Sequence, residues 1–473
     1  MRAIVALLLL FSGFMAPASV QAQGARPRIA FVSIHIAEMP TIARAAAKRV
    51  EGSMAIDFFG LGGGLLPGIE GVDLGSYDLV LIDAAGPRLL NFSEQIETAK
   101  RRTKVLIVGA GTPITGNVDP AQHPDVARYW DNATEDNYAG LFAYAGARLL
   151  GLPLVVPQPQ VFPDLALWHP DAPKPFATFP DYLSWEAGHL PGAGTRPRIG
   201  VLFYRSLVLA NNAAVVSALI REIERQGGVP IPIWREAGRD LASSLLGSER
   251  LDALILCANR LDYADAKAGA AEAARLGVPP LMCATDYRRT PEAWRKSLGG
   301  FAPDQTGELA LSELEGIVEP MVVGARAVAP DGAVGYVALA DQVRWRVARA
   351  MAWARLHRLP NAEKRIVIPY HNEEPGEADV GSDPDSYMDA QGSIVALLTR
   401  LRAEGYDVGP DPIPDAATLS KRMAEAGSNT RTGDMARARS PSRSRPISTG
   451  MPCCPPMSGK RPRPAGARRR AGS

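Results

Sequence analysis

The sequence predicts an α/β fold: serial Rossmann-like or flavodoxin-like parallel-sheet domains in a multidomain chain. Three observations carry this. Aliphatic runs such as Lys104–Val108 and Ile199–Tyr204 are apolar without alternation, as strands covered on both faces must be. Stretches of helical period separate these runs, giving β-α-β units with right-handed crossovers. The rhythm also starts afresh twice, near residues 199 and 365.

Residues 1–22 have the pattern of a secretory signal peptide. Arg2 is followed by an apolar run from Ile4 to Phe11, a helix-breaking Pro17, and Val20-Gln21-Ala22 as a cleavage site ending at Ala22. That run is short for a bilayer span and no later stretch is longer, so a periplasmic protein without a transmembrane segment after cleavage is expected. The first domain is expected over residues 23–150. Its strands are Arg28–Ile34, Ala55–Phe59, Tyr77–Ile82 and Lys104–Val108, and its helices Thr41–Val50 and Phe92–Arg102. Residues 151–195 form a Pro-rich connector whose prolines exclude regular helix and central strand. The second domain, 196–335, has strands Ile199–Tyr204, Val229–Trp234, Ala253–Cys257 and Pro280–Cys283, with helices Ala213–Gln226 and Tyr263–Leu276. Residues 336–435 carry the helix Ala340–His357, a strand Arg365–Tyr370 and the helix Ser393–Glu404, the start of a third α/β domain.

A chain of 473 residues, 46% hydrophobic, can bury two or three cores of ordinary size. Its formal net charge of +2 hides an uneven distribution. Met435–Ser473 holds ten Lys or Arg and no acid; without them 42 basic face 50 acidic residues, a net −8. A body of that sign argues against nucleic-acid binding. Cys257 and Cys283 end strands and behave as small hydrophobes, with a disulfide between them as an alternative in an oxidising compartment. Cys453-Cys454 has no second pair or His at zinc spacing.

Gly60–Gly64 and Gly109–Thr112 follow strands but open no clear helix and lack a P-loop Lys, so they are tight turns and no ATP site is visible. No Gly-x-Ser-x-Gly is present for a hydrolase nucleophile. His371, with Glu373 and Glu374, follows the expected strand at Tyr370; the group suits a divalent metal or is a solvated loop. Trp168-His169-Pro170-Asp171 brings an aromatic, an imidazole and a carboxylate to a rigid Pro, either for a ligand or for packing. In an extended segment Glu313 and Glu315 would share one face, where paired carboxylates handle a metal or take protons from a pyrrole nitrogen; a solvated acidic turn is the alternative.

Ordered fragments across residues 28–430 resemble the N-terminal part of the CobN and magnesium-chelatase large-subunit family. They are Tyr129-Trp130 with Glu135-Asp136-Asn137, Leu167–Asp171, Tyr182-Leu183-Ser184-Trp185, Gly200–Ser206, Leu311–Gly316, Pro375–Gly381 and Gly405–Val408. The resemblance implies a large subunit that binds a tetrapyrrole as substrate and inserts or removes a divalent metal, cobalt or another, itself a substrate. It also implies a separate AAA+ ATPase motor pair as partner. Glu313 matches the motif carboxylate, so Glu313 and Glu315 are the expected catalytic residues and Glu313 with His371 the expected metal ligands. His169, Tyr204 and Arg205 stand in shared motifs and are the expected substrate-binding residues.

Leu207 replaces a usual His, Ser312 a usual Pro, and Met388-Asp389 a usual Leu-Asn or Leu-Asp. The signal peptide departs most, because an exported relative is cut off from ATP and its motor. A non-catalytic periplasmic binding protein for a tetrapyrrole or metal complex is therefore the alternative. Beyond residue 436 the composition turns to Arg, Ser and Pro, expected to be a disordered tail, written by a shifted reading frame, that leaves the chain truncated and inactive alone.

Overall fold

The computed structural model describes residues 26–33, 38–61, 66–83, 86–109, 113–235, 242–262, 265–302, 305–330, 333–369 and 389–426. Strands β1 (Arg28–Ser33), β2 (Ala55–Gly60), β3 (Leu79–Asp83) and β4 (Lys104–Val108) form an all-parallel sheet in the order β2-β1-β3-β4. Successive side chains leave opposite faces of a strand, and both faces here are covered. Ile29 and Phe31 enter one core with Trp130, Tyr138 and Phe142, while Ala30 and Val32 enter another with Leu74 and Ile96. That two-sided burial is the cause of the unbroken apolar runs.

The second sheet has seven strands: β5 (Leu165–Leu167), β6 (Arg198–Tyr204), β7 (Val229–Arg235), β8 (Ala253–Leu256), β9 (Pro280–Asp286), β10 (Val318–Val328) and β11 (Val334–Ala338). Their order is β11-β10-β9-β8-β6-β7-β5, with five parallel inner strands and an antiparallel strand at each edge. Ile199, Val201 and Phe203 face helices Ala214–Arg225 and Ala340–Arg358 through Leu219, Val347 and Ala350. Leu202, Leu254 and Leu256 face the other way, toward Phe179 and Tyr182.

Strands β5, β10 and β11 are additions to the expected set. β10 is broken up by Pro320, Gly324 and Arg326, has register shifts against β9, and holds Glu319 at φ +50°. β5 spans three residues, and its partner is distant in sequence. β7 carries Pro230 and Pro232 although it lies inside the sheet. The Val229 N–H donates toward β6, at Pro197 O, so by alternation positions 230 and 232 turn their missing N–H toward the β5 side. Only their carbonyls are needed there: Pro230 O accepts from Tyr182 and Pro232 O from the Trp168 N–H.

The Pro-rich stretch is irregular over 151–164 and then supplies β5 and the helix Phe179–His189 to the second sheet. Helix Ala340–Arg358, grouped with a third domain on sequence, packs on the same sheet. Both sheets lie in one compact unit ending at Leu359; a second unit starts at Pro360, with helices Ala390–Ala403 and Ala416–Ala426 among its described residues. The strand expected at Arg365–Tyr370 does not form over residues 365–369: no ladder among the described residues pairs with it, and Val367 is 86% exposed; Tyr370 lies outside the described residues. Cys257 and Cys283 are free thiols with their sulfurs hydrogen-bonded, which with burial pushes the Cys257 thiol well up. Among the described residues no helix is long and apolar enough to cross a membrane.

Leu219 is fully buried between the sheet and the two helices. Truncation there removes transfer energy and leaves a cavity, so Leu219→Ala should cost about 2–5 kcal/mol in denaturant unfolding. Exposed Leu397→Ala should stay within about 0.5 kcal/mol of the parent.

Candidate functional site

The Trp168–Asp171 segment runs off β5 and is held against β7 by the Trp168 N–H on Pro232 O. Helix Phe179–His189 starts with Thr178 as its N-cap, accepting from the Asp181 N–H, and Pro180 in the first turn. Its period stacks Tyr182, Glu186 and His189 on one side, with Trp185 beside them. Glu224 arrives from the last turn of helix Ala214–Arg225. The three pieces meet at the amino end of β7.

His169 is fully buried there. Its Nδ1 accepts the Asp171 N–H at 3.1 Å, so the ring proton sits on Nε2 and is donated to Glu224 Oε1 at 3.2 Å. His189 Nε2 lies 3.1 Å from the same oxygen. Asp171 holds Arg221 through both oxygens, at 2.8 and 3.1 Å, and its Oδ2 is 4.0 Å from His169 Nδ1 and from His189 Nε2. Trp185 stacks on His189, ring centroids 4.6 Å apart, and tilts over His169 at 4.8 Å. Burial lowers the His169 pKa against the pull of Glu224. The Arg221 hydrogen bond holds Asp171 below its ordinary range. Glu186 is 1% exposed and neither carboxylate oxygen has a hydrogen-bond partner. Burial, then repulsion from Glu224, pushes it up to about 7.

The other expected residues are elsewhere. Glu313 ends the helix Thr306–Glu313 and is exposed, whereas Glu315 is fully buried in the turn beyond. The segment is helix and turn rather than extended, so the two carboxylates do not share a face. Glu315 accepts from Arg260 Nε and the Leu261 N–H, both at 2.6 Å, and packs so close to Gly269 that a Cβ there would meet its carboxylate at 2.4 Å. Ser312 Oγ donates to Asn259 O at 2.7 Å. The Leu-Ser-Glu-Leu-Glu-Gly motif is thus a latch on the loop after β8. Arg205 is also buried: it donates to Asp131 O at 2.7 Å and Phe162 O at 3.0 Å, and pairs with Asp164. Its guanidinium ties the irregular Pro-rich stretch to the first-sheet half instead of facing a ligand. Tyr204 ends β6 half-buried, its hydroxyl accepting the Asn259 N–H at 3.3 Å. His371, Glu373 and Glu374 lie outside the described residues.

Of the residues expected to act together, the fold places only His169 in a convergent group. His189 is exposed at the end of its helix, yet its ring closes the cluster. Glu186 and Glu224 stand in no motif that sequence reasoning selects. A carboxylate at 186, one turn after Tyr182 and three residues before His189, is the one signal that could have found the first of them.

Residues 127–449 match the sequence model of the CobN/Magnesium Chelatase family. The chain belongs to that family. The chloroplastic magnesium-chelatase subunit ChlH of Oryza sativa subsp. indica is 28% identical over 324 residues, covering 61% of this chain and 22% of its own. The aerobic cobaltochelatase subunit CobN of Pseudomonas aeruginosa is 27% identical over 330 residues, covering 66% and 25%. The chain therefore spans about a quarter of these relatives. A solved catalytic subunit of cobaltochelatase from Mycobacterium tuberculosis aligns at 21% identity with a TM-score of 0.47, over 85% of this chain and 33% of that one.

Glu315→Ala should destabilise the fold by about 3–5 kcal/mol, since it strands Arg260 and the Leu261 and Asp262 N–H groups; exposed Glu313→Ala should leave the unfolding midpoint unchanged. For Glu186, the folded state keeps a proton that the unfolded chain loses above pH 4.5. Stability then falls by about 3 kcal/mol as pH rises from about 4.5 to about 7, and is flat above that. Glu186→Gln should abolish that fall, as read from denaturation midpoints across the pH range.

Proposed function

We propose that this chain is the tetrapyrrole-binding part of a metallochelatase large subunit, holding a corrin or porphyrin ring while a divalent metal is inserted or removed. The match of residues 127–449 to the CobN/Magnesium Chelatase family carries this proposal. Relatives named for magnesium chelatase and for cobaltochelatase align over the same share of the chain, which supports the reaction class and leaves the metal open. Metal and macrocycle are both substrates. In the relatives' type of subunit an AAA+ motor pair drives the cycle. Export through residues 1–22 separates this chain from ATP, so any metal exchange it performs proceeds without a motor.

The Arg2–Ala22 pattern favours a second reading, a non-catalytic periplasmic binding protein for a tetrapyrrole or a metal complex. Titrating the full chain with metal-free porphyrin and with a metal-free corrin, followed by tryptophan quenching and ring absorbance, should give saturable one-to-one binding. Metal exchange into the bound ring on adding Co(II) or Mg(II) supports the chelatase reading, and binding without exchange the second. No saturable binding of either ring sinks both. Fractionation should place the chain in the periplasm with Gln23 at its N-terminus; a cytosolic chain with Met1 intact would overturn the assignment of export.

A further inference from the structure

Among the described residues, one set of three or more His, Cys, Asp and Glu side chains brings its ligand atoms together: His169, Asp171 and His189, all within 4.8 Å of one another. We propose that this cluster is a binding site for a divalent transition-metal ion such as Zn(II), Co(II) or Ni(II), through His169 Nδ1, Asp171 Oδ2 and His189 Nε2. The inference rests on this geometry and not on the tetrapyrrole reading.

Two imidazoles and one carboxylate suit these ions, whereas Mg(II) and Ca(II) take oxygen ligands. A ligating imidazole keeps its other nitrogen protonated and bonded to an acceptor. His169 is already in that state: Glu224 takes the Nε2 proton, and the Nδ1 lone pair faces Asp171. An ion there replaces the Asp171 N–H bond to Nδ1. His189 needs one tautomer change, its proton moving from Nε2 to Nδ1 as the ion replaces its hydrogen bond to Glu224, with no net proton lost. Asp171 Oδ2 stands 4.0 Å from both ring nitrogens. Ligands about 2.0–2.1 Å from one tetrahedral ion lie about 0.6 Å closer than that. The side chains of Asp171 and His189 are 36% and 28% exposed, so closing on an ion means loosening Asp171 from Arg221 and His189 from Glu224, while His169 is fully buried.

An independent observation points the same way. Glu186 is a buried carboxylate with no hydrogen-bond partner, set beside a second carboxylate, Glu224. Such a group is costly unless positive charge is near. The Arg221 guanidinium reaches this cluster but is taken up by Asp171 at its outer side. Arg196 partly offsets the cost at Glu186, and an ion held by His169, Asp171 and His189 would add positive charge to the same cluster. Three protein ligands leave a fourth position open to solvent, as in exchangeable sites and unlike closed structural ones.

The test titrates the full-length, tetrapyrrole-free chain with Co(II), followed by its visible d–d absorption, and then displaces it with Zn(II). One ion per chain is expected, with a tetrahedral spectrum. His189→Ala and Asp171→Asn, both at partly exposed positions, should abolish the signal while leaving the unfolding midpoint near the parent's. Glu224→Gln should weaken binding about tenfold or more by releasing the His169 tautomer. Arg221→Gln should tighten binding, because the competing cation on Asp171 is gone; a merely structural cluster predicts no such gain. Cys453→Ser with Cys454→Ser should change nothing. Absence of stoichiometric Co(II) and Zn(II) binding overturns the proposal, as does binding that survives His189→Ala or disappears with the two tail cysteines. Failure here leaves the tetrapyrrole titration unaffected, so the two readings fall separately.

Discussion

Everything in the larger sheet depends on one constraint, that five parallel strands must be covered on both faces. Helices Ala214–Arg225 and Ala340–Arg358 cover one face. The other is closed in part by the helix Phe179–His189, which comes from the Pro-rich stretch. Residues that look like connector are therefore core. Placing that helix leaves the Tyr182 hydroxyl to be satisfied at the sheet, and Pro230 O accepts it, while Pro232 O accepts the Trp168 N–H of the chain leaving β5. The histidine cluster is a by-product of the same closure: it forms where the covering helix, the chain leaving β5 and the end of helix Ala214–Arg225 meet.

That origin explains why polar motifs of similar appearance have different physical roles. Glu315 and Arg205 are charged side chains spent on backbone groups, each fixing an irregular segment that has no ladder of its own. Removing one partner of such a buried network leaves the others uncompensated, so these positions are held by folding energetics alone. Glu186 differs. It is as deeply buried but makes no compensating bond, and a fold that tolerates this carries its cost beside Glu224.

The two sheets also divide the chain differently from its composition. Helix Ala340–Arg358 groups on sequence with the residues C-terminal to it, because a long helix after a turn looks like a new start. Its apolar positions Val343, Val347, Ala350 and Ala354 instead answer a stripe on β6 and on helix Ala214–Arg225. Residues 365–369 show the converse: β propensity with no paired edge among the described residues yields irregular chain with Ile366 and Val367 in solvent.

The sequence by itself determined the α/β class, most inner strands and helices to within a few residues, and the family, because two-sided burial and motif order are written locally along the chain. Strands β5, β10 and β11 were not legible, since edge pairing is a property of a distant partner and of irregular register. Nor was the site. His169 could be named from Trp-His-Pro-Asp, but Glu224 is 55 residues away and acquires meaning only when its helix docks beside His169. Glu313 and Glu315 look equivalent in sequence, two residues apart. Only the tertiary structure decided that one faces water and the other a loop, because on a helix end and its closing turn, at about 100° per residue, side chains two apart point to opposite sides.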